Sequence, residues 1–241
     1  IIDTTLREGE QAAHVYFSTD DKLRIINLLD KTGVEEIEAG IAMGNPEIKK
    51  LCCLAKKNGC RARLSLWCRS LIKDVEESLT CFPDRLNLSI CVSDIQIKNK
   101  IRKNRKWVLE KVKEAVSFAR SKSEIYLSLG LEDASRADFD FIADVCAVAE
   151  KEGVNRIRFS DTLGILDPVS VFNLIKKLKH LVNVDIGVHM HNDFGMATAN
   201  AVSAVIAGAD FADTSVNGLG ERAGIASTEE VTAFMAKRKN H

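Results

Sequence analysis

The chain has 241 residues, of which 46% are hydrophobic and 28% charged, and 34 Lys and Arg residues balance 34 Asp and Glu residues. The zero net charge argues against nucleic acid or an anionic membrane as a partner. No apolar run approaches the roughly 20 residues needed to span a bilayer, so a single soluble domain is expected.

The chain alternates short β-branched runs with amphipathic helical patterns. Strands are predicted at residues 1–5, 35–39, 62–66, 86–91, 125–129, 156–160, 185–189 and 211–215. Helical patterns fill the gaps, most clearly over residues 19–31, 137–152, 168–179 and 200–207. Eight strand-plus-helix units predict a (β/α)8 barrel, the TIM barrel, as one domain over residues 1–241. An open doubly wound sheet is the alternative.

Polar residues that stand out from this pattern fall at the carboxyl ends of the predicted strands. They are Arg7, Glu8, Glu38, Glu132, Asp133, Asp161, Thr162, His189, His191 and Asn217. Barrel active sites are built at this rim from the ends of several strands. The sequence therefore predicts a functional site there.

His189 and His191 are separated by one residue at the end of a predicted strand, so their side chains project to the same face. They are either a divalent metal site or a pair of ordinary hydrogen-bonded histidines. Barrel closure brings strands 7, 8 and 1 together, which allows Glu8 and Asn217 to reach both imidazoles. This set favours a divalent metal, with Mg, Mn, Co, Fe and Zn all open.

Other features have a structural and a functional interpretation. Arg7 is either one half of a salt bridge or a group that stabilises negative charge on a carbonyl oxygen beside the metal. Glu38 either orients Arg7 or is a buried partner. The basic stretch at residues 98–106 is interpreted as a solvated helical face that could also hold an anionic ligand. The glycine-rich residues 217–224 suit a tight rim turn.

Three motifs carry a family resemblance across essentially the whole chain. Residues 3–11 read DTTLREGEQ, residues 189–200 read HMHNDFGMATAN, and residues 217–224 read NGLGERAG. These segments resemble the acyltransferases that include homocitrate synthases and 2-isopropylmalate synthases, within the DRE-TIM metallolyases. Residues 89–94, 132–138 and 158–164 resemble the nitrogen-fixation type of homocitrate synthase in particular.

The resemblance implies condensation of acetyl-CoA with a 2-oxo acid, with 2-oxoglutarate giving homocitrate as the expected reaction. It implies that Glu8, His189 and His191 bind the metal, with Asn217 as a further ligand or a group behind the ligands. Arg7 would stabilise the oxygen of the oxo acid. Glu38, Glu132 and Thr162 would line the oxo-acid pocket, with Gln11 at its edge, and Glu132 is the one carboxylate considered as a catalytic base.

The chain departs from lysine-pathway homocitrate synthases at two positions that hold the distal carboxylate of 2-oxoglutarate. Their His on strand 3 and Arg on strand 5 align with Trp67 and Ser128 here, and Arg69 is the candidate substitute. Isopropylmalate, citramalate or Re-type citrate synthesis, a lyase reaction, or a barrel that binds metal and oxo acid without turnover therefore stay open.

The start and end of the chain lead to expectations about assembly. It begins with Ile1 inside a predicted strand and ends near the point where the barrel closes, so we expect a fragment without the family's C-terminal lid. A homodimer or a separate C-terminal subunit would then complete the enzyme. Seven cysteines, an odd number with no CxxC pair, indicate reduced thiols in a cytoplasmic protein.

Overall fold

The computed structural model describes residues 1–238 and contains eight parallel strands closed into a barrel in the order β1 to β8. The strands are β1 Ile2–Asp3, β2 Glu36–Glu38, β3 Arg63–Arg69, β4 Arg85–Cys91, β5 Tyr126–Glu132, β6 Arg156–Asp161, β7 Asp185–Met190 and β8 Phe211–Thr214. Closure is made by β1, which pairs with both β2 and β8. The predicted (β/α)8 barrel is confirmed, and the open-sheet alternative is wrong.

Helices surround this barrel and follow the strands. They are α1 Thr19–Thr32, α2 Glu47–Lys57, α3 Ile72–Leu79, α4 Asp94–Asn99, α5 Arg105–Lys122, α6 Phe139–Lys151, α7 Pro168–Leu181, α8 Ala197–Ala207 and α9 Thr228–Arg238. Within the part of the chain that the structure describes, every helix is too short or too polar to cross a bilayer.

Local chemistry explains where the predicted helices begin and end. Ser18 and Asp21 form a reciprocal capping box at the start of α1, and Gly33 ends that helix in the left-handed conformation. Asp167 caps α7 with its side chain, and Pro168 occupies the first turn, where no backbone donor is needed. These helices were predicted within one or two residues.

Several predicted boundaries were wrong because the strands run further toward the rim. β3 continues to Arg69 and β5 to Glu132, so Glu132 is a strand residue. The basic stretch is not one helical face either: α4 ends at Asn99 and α5 begins at Arg105. Arg102 between them has a positive φ of 54°, which breaks the helix.

The apolar core lies between the strands and the helices, whereas the barrel interior carries charge. Arg156 on β6 is fully buried and makes two hydrogen bonds to Glu36 on β2, at 2.9 and 3.0 Å. One layer nearer the rim, Arg158 contacts Glu38 at 3.1 Å and Asp213 at 2.7 Å. Buried charges are tolerated when paired and hydrogen-bonded in this way. These two layers form the floor of the site.

Candidate active site

Most of the predicted site residues line one cavity of about 400 Å³ at the carboxyl ends of the strands. Those that line it are Arg7, Glu8, Gln11, Glu132, Thr162, His189 and His191. They come from strands on opposite sides of the barrel, and only closure of the sheet brings them together. The cavity is therefore the candidate active site.

Glu8, His189 and His191 form a compact cluster in which one ligand atom from each lies within 4.8 Å of the others. The two Nε2 atoms are 3.3 Å apart, and His189 Nε2 lies 3.7 Å from Glu8 Oε2. All three side chains are buried. His189 lies on β7 and His191 directly follows that strand, while Glu8 follows β1, so the structure places these three residues together as the sequence predicts.

The hydrogen bonds of His189 show which of its ring nitrogens is free. His189 Nδ1 lies 2.9 Å from Asp213 Oδ2. Because a carboxylate only accepts, Nδ1 carries the proton and donates to it, and the lone pair of Nε2 points at Glu8 and His191. A histidine that binds metal ordinarily has such a carboxylate partner. Two imidazole nitrogens and a carboxylate oxygen fit a divalent cation.

The surroundings of Glu8 and His191 keep both residues in metal-binding protonation states. Burial alone would raise the pKa of Glu8, but the positive charge of Arg7 outweighs it and lowers that pKa to about 2. Burial lowers the pKa of His191 to about 3. An ionised carboxylate and neutral imidazoles are the forms that coordinate metal.

Arg7 is fixed between two carboxylates. Its Nε donates to Glu38 Oε2 at 2.6 Å, and its Nη1 donates to Glu8 Oε2. Burial would lower the pKa of Arg7, but Glu38 and Glu8 raise it above its ordinary value, so the guanidinium stays charged. The predicted salt bridge is therefore present and holds the cation at the cavity wall, and the stabilisation of a carbonyl oxygen by Arg7 stays a prediction.

Glu38 lies behind Arg7 and links it to the barrel interior. Its carboxylate also accepts from Thr4 Oγ1 at 2.8 Å and from Asn87 Nδ2 at 3.0 Å. Burial would raise the pKa of Glu38, but Arg7 and Arg158 hold it well below its usual range. Glu38 was predicted to line the oxo-acid pocket, yet it is buried beneath the cavity lining and orients Arg7.

The glycine-rich loop after β8 closes over Glu8. The backbone N–H of Glu221 donates to Glu8 Oε1 at 3.0 Å. A Cβ at Gly224 would lie 2.0 Å from the carbonyl oxygen of Gly218, and both residues have positive φ. Glycine at both positions lets the loop fold tightly enough to place the Glu221 amide on the carboxylate.

Glu132, Thr162 and Gln11 are placed at the cavity as predicted. Glu132 accepts hydrogen bonds from the Cys91 thiol at 3.3 Å and from Lys100 Nζ. Thr162 Oγ1 accepts from the backbone N–H of Asp133 at 2.8 Å, which fixes the turn after β5. Gln11, with its amide turned so that nitrogen faces Glu8, donates to Glu8 at 2.9 Å.

Besides Glu38, two further predicted residues, Asn217 and Arg69, lie outside the cavity lining. Asn217 is exposed, has a positive φ of 56°, and uses its backbone N–H to donate to Glu229. Its side chain is outside the cavity lining, so the structure does not bring it to the metal-binding cluster. Arg69 turns outward, with Nε 2.6 Å from Asp74 Oδ2 and half of its side chain exposed, and it also lies outside the lining.

Sequence reasoning missed two residues that shape the site. Arg158 and Asp213 face the barrel interior, and strand parity with the rim residues of β6 and β8 was the available signal. Lys100 belongs to the basic stretch that was expected to be a solvated face or to hold an anionic ligand, and it lines the cavity. Trp67, at the strand 3 position noted in the sequence, lines the wall provided by β3.

Comparison with known proteins matches the HMGL-like family over residues 1–241. This chain belongs to the HMGL-like family. It is 47% identical to 2-isopropylmalate synthase 2 of Caldanaerobacter subterraneus subsp. tengcongensis, covering 96% of this chain and 60% of that protein. It is 44% identical to homocitrate synthase subunit alpha of Clostridium pasteurianum, covering 93% of this chain and 83% of that protein.

The similar proteins are therefore named as synthases of different products, and a citramalate synthase is among them at 42% identity. Among solved structures, the HMG-CoA lyase from Brucella melitensis matches with a TM-score of 0.84 at 19% identity, covering 99% of this chain and 90% of that chain. At this identity the likeness shows the fold alone. The predicted kinship with homocitrate and 2-isopropylmalate synthases is confirmed.

Proposed function

We propose that this protein condenses acetyl-CoA with a 2-oxo acid, and that 2-oxoglutarate is its preferred partner, giving homocitrate. The observation that carries the proposal is the buried cluster of Glu8, His189 and His191 beside the Arg7 guanidinium in one cavity. The similar proteins are named as synthases of homocitrate, 2-isopropylmalate and citramalate, which supports the same chemistry. We also propose that the protein is a homocitrate synthase of the nitrogen-fixation type and that it is located in the cytoplasm.

A divalent ion bound by Glu8, His189 and His191 would supply a Lewis acid that polarises the keto group of the oxo acid. The residues of the chain supply the rest of the environment. Arg7 is held by Glu38 and Glu8, so its remaining N–H groups are positioned to stabilise the oxygen that becomes an alkoxide. A fixed guanidinium needs no reorganisation when that charge develops.

Glu132 is the carboxylate we propose as the base for the methyl proton of the thioester. It lines the cavity on β5, across the ring of strands from Glu8 after β1, so an oxo acid and a thioester can lie between them. Cys91 and Lys100 hold its two oxygens and fix its position. After the carbon–carbon bond forms, water cleaves the thioester and releases CoA.

We also propose how the protein assembles into a complete enzyme. The chain spans 60% of the length of the Caldanaerobacter relative, and the Clostridium relative is named as a subunit. Both facts support the expectation that a further polypeptide region, in the same chain or in a separate C-terminal subunit, completes the catalytic environment. A homodimer is the other assembly that we propose. Such a region would exclude water from the cavity and strengthen its electrostatic interactions.

The first experiment measures binding, because binding requires only residues of this cavity. We expect metal-stripped protein to take up one Mn²⁺ per chain and then to bind 2-oxoglutarate in calorimetric titrations. The double variant His189→Ala/His191→Ala should bind neither, whereas His180→Ala, at an exposed position near the end of α7, should behave as wild type. Normal metal content in the double variant would refute the site.

The second experiment measures CoA release from acetyl-CoA with 2-oxoglutarate, 2-oxoisovalerate, pyruvate and oxaloacetate in turn. We expect 2-oxoglutarate to give the highest kcat/KM, and we expect slow turnover until a C-terminal region is supplied. A clear preference for 2-oxoisovalerate would assign the protein to isopropylmalate synthesis. Binding of metal and oxo acid without turnover in any assembly would leave a binding subunit as the alternative.

A further inference from the structure

We infer that Lys100 recognises the second carboxylate of a dicarboxylic oxo acid and thereby sets the preference for such substrates over monocarboxylic ones. This inference rests on the proposed function, since it concerns the oxo acid bound beside Glu8, His189 and His191. Lys100 lines the same cavity as this cluster. Lys100 directly follows α4, which is the helix after β4 in the chain. The cavity wall formed by β4 and β5 lies across the ring of strands from β8 and β1.

Four cationic side chains line the cavity, and three of them each contact two or more other groups. Arg7 lies between Glu8 and Glu38, and Arg158 lies between Glu38 and Asp213. These contacts fix the two guanidinium groups and offset their charge, because each faces two buried carboxylates.

The third cation is Arg222, which belongs to the loop that closes over Glu8. It donates to both oxygens of Asp193, at 2.7 and 2.9 Å, and to the carbonyl oxygen of Thr162 at 2.6 Å. Its donors are therefore largely used in holding the loop.

Lys100 is different, because its side chain is the most exposed of the four and its ammonium pairs with a single carboxylate. Within residues 1–238 its one hydrogen bond goes to Glu132 Oε1, and an ammonium carries three donors. More than half of the side chain is exposed, so a ligand can reach the two remaining donors. Burial would lower the pKa of Lys100, but Glu132 raises it above its ordinary value, so the group is charged.

Gln96 is a second polar group on the same wall that has capacity for a ligand. It lines the cavity one turn before Lys100, and its Oε1 is buried without a hydrogen-bond partner in the described part of the chain. An amide oxygen cannot pair with a carboxylate, so the two N–H donors of the amide are the groups that would contact the ligand. The amide and the ammonium together can hold a carboxylate.

The position of Lys100 matches the far end of a dicarboxylic substrate, because the β4–β5 wall faces the metal-binding cluster across the cavity. A 2-oxo acid anchored by its carboxylate and keto group at the metal would extend its other end toward the β4–β5 wall.

The test compares binding of 2-oxoglutarate and 2-oxoisovalerate to Mn²⁺-loaded wild-type protein and to Lys100→Gln by calorimetry. A hydrogen-bonded charge contributes enough to predict a loss of about 10- to 100-fold for 2-oxoglutarate. Binding of 2-oxoisovalerate should change by less than about threefold on the same reasoning. Lys100→Arg should restore most of the affinity, and Lys98→Gln, an exposed lysine outside the cavity lining, should have no effect.

A double-variant comparison separates this role from simple support of Glu132. If Lys100 contacts the substrate, Lys100→Gln should still weaken 2-oxoglutarate binding in a Glu132→Gln background. Disappearance of the effect there, or an equal loss for both oxo acids, would overturn the inference and leave the proposed condensation intact. Tighter binding of 2-oxoisovalerate by the wild type would also overturn it. Absence of metal-dependent binding of either acid would instead refute the proposed function.

Discussion

Asp213 provides a test of how the protein prepares His189 for metal binding. Its Oδ2 accepts from His189 Nδ1 at 2.9 Å and from Arg158 Nη1 at 2.7 Å, and the residue is fully buried on β8. In Asp213→Asn the amide keeps the shape but loses the charge that fixes the protonated Nδ1. Loss of such a partner costs about 10- to 100-fold in metal affinity, or about 1.4–2.7 kcal/mol.

The assay is calorimetric titration of metal-stripped protein with Mn²⁺, paired with thermal unfolding to verify that the variant is folded. Asp210→Asn is the matched control, because Asp210 precedes the same strand at the opposite end and pairs with Lys179. We expect the control to bind metal as the wild type does. A folded Asp213→Asn protein with an unchanged dissociation constant would show that the Asp213 contact does not prepare the histidine.

Two further predictions concern catalysis and stability. Arg7→Lys should reduce turnover by about 10²–10³, since Lys lacks the planar fork that contacts Glu8 and Glu38. Metal affinity should stay within a few-fold of the wild type. CoA release measures turnover and calorimetry measures metal affinity, and a parallel loss of metal binding would contradict the proposed role of Arg7. For Asp30, hydrogen bonds from the backbone N–H groups of Ala62 and Arg61 lower the pKa below 3.8. The contribution of Asp30 to stability should therefore be complete above that pH and decline as pH falls through the lowered pKa. Urea unfolding at pH 7 and pH 3 should show Asp30→Asn destabilised at pH 7 and closer to wild type at pH 3, and an equal difference at both pH values would refute this.

The barrel and the metal-binding cluster could be predicted because both follow from local patterns. Short β-branched runs alternating with amphipathic helices define the fold, and strand parity places His189 and His191 on one face. Closure of the barrel then brings Glu8 to them without any knowledge of side-chain conformations.

Other parts of the site depend on information that neighbouring residues in the sequence do not carry. The pairing of Arg158 with Glu38 joins positions 120 residues apart across the barrel, and nothing local indicates it. Asn217 follows its strand as predicted, but a left-handed backbone turns it outward. Lys100 reaches the cavity because the chain breaks between α4 and α5, in a segment whose composition resembles one continuous helix.

The charged layers inside the barrel restrict how this scaffold could be re-engineered. Arg156 pairs with Glu36, and Arg158 pairs with Glu38 and Asp213, so replacing any one member leaves an unpaired opposite charge in the buried barrel interior. Single substitutions that the fold tolerates are therefore expected mainly in the loops and helix ends above these layers. A new oxo-acid specificity should therefore be sought by varying the loops and helix ends above these layers. The charged residues of the barrel interior should be exchanged only as a complete set.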